Sequence, residues 1–204
     1  MEEKEAMKYI EKYLKEAKEI IDKIDKNQIE KMIDHLKAIR EKKGRLFFLG
    51  VGGGAANASH AVNDFRKICG LEAYTPMDNV SELSARINDE SWETVFIHWL
   101  KQSNLTENDG IFVFSVGGGN LEKNISVNLV RAIEYAKKIR AKVFGIVGRD
   151  GGYTAQAADA CVIVPTIDSG TITPHTEAFQ SVVSHLIVSH PEMKETEMKW
   201  ESTK

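Results

Sequence analysis

The sequence predicts an α/β fold, a doubly wound parallel sheet with helices on both faces in the flavodoxin-like manner, preceded by an N-terminal helical hairpin. From residue 45 onward, short apolar runs bounded by glycine alternate with stretches of helical periodicity. Three of those runs end in glycine clusters, at 51–54, 117–120 and 148–152. In open parallel sheets such βα loops gather at the carboxyl ends of the strands, where ligands bind. Residues 2–43 instead carry one long amphipathic pattern with a single polar break.

In that leading segment Tyr9, Ile10, Tyr13, Leu14, Ala17, Ile20, Ile21 and Ile24 recur at helical spacing. After Asp25, Lys26 and Asn27, the residues Ile29, Met32, Ile33, Leu36 and Ile39 repeat the period. The pair is expected to bury its stripe on its own sheet or against other subunits. Gly44 ends the second helix. The expected order is then a strand at 45–49, a helix at 55–69, a short strand at 71–74 and helices at 81–88 and 92–102. A strand at 110–115, a helix at 127–139 and a strand at 142–147 follow. A small helix at 155–158, a strand at 161–165 and a last helix at 175–189 complete the pattern. Residues 1–43 are thus a hairpin belonging to the same domain or to an oligomer interface, and 44–204 the main domain.

Composition narrows the function. The 204 residues carry a net charge of −3, with no basic field for nucleic acid and no apolar run near a membrane span. The N-terminus is charged from its second residue, so no signal peptide is expected. Cys69 and Cys161 lie far apart, match no metal spacing and read as reduced core thiols of a cytoplasmic protein.

Glycine after a strand lets backbone amides turn inward, and the following helix adds its positive end, so each cluster is a phosphate seat or a tight turn. The segment GVGGGA at 50–55 fits the dinucleotide fingerprint only with its last position relaxed, and no acidic residue closes the next strand. No loop contains the G-K-[ST] of a nucleoside-triphosphate site. His60 and Asp64, four apart, share one helix face. Glu177 and His185, eight apart, lie about 80° around theirs. Two histidines and two carboxylates make a divalent-metal set for which zinc is the natural choice.

LGVGGGAANASHAVNDF at 49–65, FSVGGGN at 114–120, VFGIVGRDGGYTAQAADACVIVP at 143–165 and TEAFQSVVSHLIV at 176–188 resemble, in order and spacing, blocks of bacterial phosphoheptose isomerases. These belong to the SIS (sugar isomerase) family and interconvert sedoheptulose 7-phosphate and D-glycero-D-manno-heptose 7-phosphate. The resemblance implies a metal-assisted aldose–ketose isomerase of nucleotide-heptose or surface-glycan (lipopolysaccharide) synthesis. It also implies a homotetramer with a sugar phosphate as ligand and no nucleic acid or membrane partner. His60, Asp64, Glu177 and His185 match the family's metal and catalytic positions, with Asp64 as base, His185 as partner acid and Glu177 able to exchange roles with either. Gly52, Gly53, Gly54, Asn88, Asp89, Ser115, Gly117, Gly118, Gly119, Asn120 and Ser126 match its substrate and phosphate contacts.

The chain departs from the family in having Asp64 for Glu and Glu177 for Gln. Its second loop, SVGGGNLEKNIS, is longer and keeps only Ser115 and Ser126 as hydroxyl donors. Lys123 in that loop reads as a solvated side chain before it reads as a phosphate ligand. The second reading of the whole is a non-catalytic SIS module, either a sugar-phosphate sensor or a relative of replication-initiator-associating proteins.

Overall fold

In the computed structural model, which describes residues 3–203, five parallel strands form one sheet in the order β2-β1-β3-β4-β5. The strands are β1 Arg45–Gly50, β2 Glu72–Tyr74, β3 Gly110–Ser115, β4 Lys142–Val147 and β5 Ala160–Ile163. The helices are α1 Glu3–Lys23, α2 Lys26–Glu41, α3 Gly53–Lys67, α4 Val80–Asp89, α5 Val95–Gln102, α6 Val127–Lys138, α7 Gly152–Ala157, α8 Ile172–Ser189 and the short α9 Lys199–Ser202. Residues 1, 2 and 204 of the ranges expected above lie outside the described residues. The order reverses between β1 and β3, and the loops after these strands open onto that switch point.

Side chains alternate along each strand and so build two cores. Leu46, Phe48, Phe112, Phe114, Phe144 and Ile146 face α2, α3 and α8. Phe47, Leu49, Ile111, Val113 and Val143 face α5 and α6. The two helices of the leading hairpin differ in how much they bury. α2 packs on the chain's own sheet through Ile29, Met32, Ile33, Leu36 and Ile39. α1 buries Ile20 but leaves Tyr9, Ile10, Leu14 and Ile21 more than half or about half exposed.

Several boundaries differ from the sequence reading for local reasons. The break between the first two helices is shorter than the polar run: Asp25 lies in it and caps α2, which begins at Lys26, its carboxylate accepting from the amides of Asn27 and Gln28. α8 begins at Ile172, not at 175, because Pro174 falls in the first turn, where its missing N–H is no loss. α3 begins at Gly53, so two of the loop glycines are helical. Trp92 precedes its helix, in a turn where Ser91 and Thr94 hydroxyls meet at 2.9 Å.

Both cysteines are buried and free, and burial pushes their thiols up to about 12, which fits inert core residues. No helix among the described residues is long and apolar enough to cross a membrane.

The base of the sheet is tied by Asp109. Its carboxylate accepts from the Arg45 amide at 2.8 Å, the Arg45 guanidinium at 2.8 and 3.3 Å, and the Thr106 amide and hydroxyl at 2.8 and 2.9 Å. Burial alone would raise its pKa, but these donors together outweigh burial and hold it below the ordinary carboxylate value. A carboxylate lowered in the folded state adds stability above its unfolded pKa of about 3.9, and loses it as pH falls through the folded value. Asp109→Ala is expected to cost about 3 kcal/mol at neutral pH, at the lower end for a buried pair because Arg45 keeps a quarter of its side chain in water. Urea unfolding at pH 7 and pH 3 should show the gap between parent and variant narrowing in acid.

Candidate active site on helices α3 and α8

α3 follows β1 and α8 follows β5, and the two helices lie side by side on one face of the sheet. Asn57 fixes their register, its amide donating to the Glu177 carbonyl and to the Gln180 side-chain oxygen, each at 2.9 Å. The fully buried Gln180 donates in turn to the Ile146 carbonyl of β4 at 3.2 Å.

That register brings three predicted residues together. His60 Nε2 lies 3.2 Å and His185 Nε2 3.3 Å from Asp64 Oδ2, and the two ring nitrogens are 3.0 Å apart. Asp64 is buried beneath them, while both histidines are half exposed. Its other oxygen accepts from the Asn63 amide at 3.0 Å, which aims Oδ2 at the imidazoles. Ligands about 2.0–2.1 Å from a tetrahedral zinc stand about 3.3 Å from one another. The three donor atoms already have that spacing, so the residues fit a divalent ion with a fourth position left for water or substrate.

Glu177 does not join them. Eight residues of helix span about 12 Å along the axis, so the shared angular face does not by itself make a shared site. The Glu177 carboxylate lies at the first loop, where a methyl group on Gly53 would stand 2.3 Å from its carboxyl carbon. Gly53 therefore gives Glu177 its place.

The glycine loops have a packing role that sequence reasoning underrated. Gly118, at φ +68°, passes so near the third loop that a Cβ would stand 1.9 Å from the Gly151 carbonyl oxygen. The Gly118 carbonyl accepts from the Thr154 amide at 2.9 Å and hydroxyl at 2.7 Å, and the Gly119 carbonyl from the Tyr153 amide at 2.8 Å. Ser115 Oγ accepts from the Gly118 amide at 3.0 Å, which leaves its proton to donate. Asn120 pairs with Ile125 across the loop and caps the Lys123 amide, closing the long loop on itself. Ser126 takes the N-cap position of α6 in a left-handed conformation, and its hydroxyl makes no capping bond.

Gly52 is the N-cap of α3 and Gly54 lies in its first turn. Asn88 and Asp89 end α4 on the surface, bonded to each other at 2.8 Å. They do not cap α5.

Asn57, Asn63, Gln180 and Arg149 escaped the sequence reading. The two asparagines lie on the helix that carries His60, three residues before it and one before Asp64, and that proximity was the available signal.

A sequence family model described as the SIS domain matches residues 9–148. The chain is similar to a phosphoheptose isomerase of Helicobacter pylori, 29% identical over 154 residues, covering 72% of this chain and 73% of that one. It is similar also to a probable phosphoheptose isomerase of Thermoplasma volcanium, 31% identical over 172 residues, covering 81% and 82%. Among solved structures, the phosphoheptose isomerase of Neisseria gonorrhoeae superposes with a TM-score of 0.76 at 20% identity, over 91% of this chain and 95% of that one.

Proposed function

The chain belongs to the SIS domain family, and from that membership we propose that it is an aldose–ketose isomerase acting on a sugar phosphate, with sedoheptulose 7-phosphate as the leading substrate. The observation that carries this reading is the convergence of His60, Asp64 and His185 at 3.0–3.3 Å. A module that only binds a sugar phosphate has no use for a buried carboxylate aimed between two imidazoles. The phosphoheptose isomerases among its relatives supply the substrate class.

In the ketose-to-aldose direction, a base takes a proton from C1, an enediol forms, and a proton is returned to C2 as the carbonyl moves to C1. Asp64, held by Asn63, is the proposed base. His185 is the proposed acid that moves the proton between the C1 and C2 oxygens. Glu177 stands apart from these three at the first loop, and its proposed role there is to contact the substrate. His60, Asp64 and His185 would hold a divalent ion, zinc by their chemistry, which when bound stabilises negative charge on the sugar oxygens. Gly52–Gly54, Ser115, Gly117–Asn120 and Ser126 are proposed to receive the phosphate end, and Asn88 and Asp89 to meet sugar hydroxyls.

Zinc-loaded protein incubated with sedoheptulose 7-phosphate should form the aldose heptose 7-phosphate, read by NMR. Turnover of a pentulose or hexulose phosphate instead would move the substrate assignment, and no turnover of any of them would remove the isomerase reading.

Four copies are the proposed assembly. Support comes from the apolar side chains left exposed on α1 (Tyr9, Ile10, Leu14 and Ile21) and on α8 (Val182 and Leu186), and from the open, half-exposed histidines. Light scattering at micromolar concentration should give four times the chain mass, and a monomer mass would overturn it.

A further inference from the structure

We propose that Arg149, assisted by Lys123, holds the phosphate of the substrate as a charged clamp that compensates for the hydroxyls the second loop lacks; this rests on the sugar-phosphate reading above. The two side chains line a cavity of about 270 Å³ between the loops after β3 and β4, with Gly117, Asn120 and Ser126 around it. Arg149 is the one arginine that makes no hydrogen bond or ion pair among the described residues. Arg40, Arg45, Arg86, Arg131 and Arg140 are each paired with a carboxylate, and Arg66 donates to the Ala73 carbonyl.

Its stem runs beside Gly117, where a Cβ would stand 3.8 Å from Arg149 Cδ. Its backbone is left-handed, at φ +53°, as is that of Ser126, also on the cavity lining, at +48°. Non-glycine residues in that region carry strain, which persists where the surroundings impose it and clusters at ligand sites. Asp150 also lines the cavity, but its Oδ1 is engaged by the Gly152 amide at 3.2 Å.

Consecutive residues at the start of α8 touch the loops after β4 and β1. Thr176 packs against Gly148, where a Cβ would stand 2.2 Å from its hydroxyl, and Glu177 packs against Gly53. A phosphate between Arg149, Lys123 and the Ser126 hydroxyl would receive charge-assisted hydrogen bonds, the forked guanidinium matching two of its oxygens.

The test is binding of inorganic phosphate to the folded protein by calorimetry, which needs no turnover. Arg149→Asn removes the charge with a residue that tolerates the left-handed backbone, so thermal unfolding should stay within a few degrees of the parent. Phosphate should bind the variant about 10–100-fold more weakly, the range for losing a charge-assisted contact. Arg149→Lys should recover part of that loss, and Lys123→Gln should lose about 3–10-fold. On sugar phosphate, Arg149→Asn should raise KM by a like factor with kcat within about threefold.

Phosphate affinity within twofold of the parent in Arg149→Asn would overturn the proposal, as would a fall in kcat with KM unchanged. Parent protein that binds phosphate through Arg149 but turns over no sugar phosphate would uphold the clamp while removing the isomerase reading.

Discussion

Asp64→Asn is expected to lower turnover of the sugar phosphate by about 10²–10⁴-fold, the range for losing a positioned general base. The amide keeps the shape of the side chain and can still accept from Asn63, so folding should be preserved; circular dichroism and thermal unfolding check this. Kinetics on both sides of KM should show the loss in kcat. His60→Ala with His185→Ala removes two of the three donors that converge at 3.0–3.3 Å, and metal analysis of purified protein should show bound zinc lost in the pair. Unchanged turnover in Asp64→Asn would show that its carboxylate takes no proton from the sugar.

Gly118→Ala should be the most damaging small substitution outside the chemistry. The left-handed backbone costs an alanine about 1–2 kcal/mol. The new methyl would also meet the Gly151 carbonyl at 1.9 Å, a backbone atom that cannot swing aside, and such overpacking costs about 1–3 kcal/mol more. Urea unfolding should therefore report a loss of about 3 kcal/mol. Gly117→Ala is the internal control, because its Cβ meets only Arg149 Cδ at 3.8 Å, ordinary contact. A loss below about 1 kcal/mol is expected there. Equal effects at the two positions would mean that the loops after β3 and β4 are not locked through Gly118.

The strands were the most legible part of the fold. GIFVFS and KVFGIV are short, apolar and glycine-bounded, and the structure gives β3 and β4 the expected limits. Ends set by single contacts were less legible. The last helix reads as beginning at 175, beside Pro174, but begins at Ile172 with Pro174 inside its first turn, and Lys26 and Asn27 read as part of the break but already belong to α2, which Asp25 caps. In the site, the four-residue spacing of His60 and Asp64 placed both correctly on one face, because that spacing is local to one helix. The distance from Glu177 to the histidines was not legible, since it depends on how α8 slides along α3, and Asn57 and Gln180 set that register through contacts more than a hundred residues apart in sequence. The glycine clusters marked the right end of the sheet, but periodicity could not separate a phosphate seat from a backbone contact. Gly118 meets the backbone of the third loop, and Gly53 makes room for Glu177.

The most direct measurement is incubation of zinc-loaded protein with sedoheptulose 7-phosphate in D₂O, followed by NMR and mass spectrometry. An enediol isomerase whose base, Asp64, lies beneath the half-exposed His60 and His185 and exchanges its proton with solvent predicts aldose heptose 7-phosphate carrying deuterium at C2. Folded, metal-loaded protein that gives neither aldose nor deuterium exchange would contradict the account.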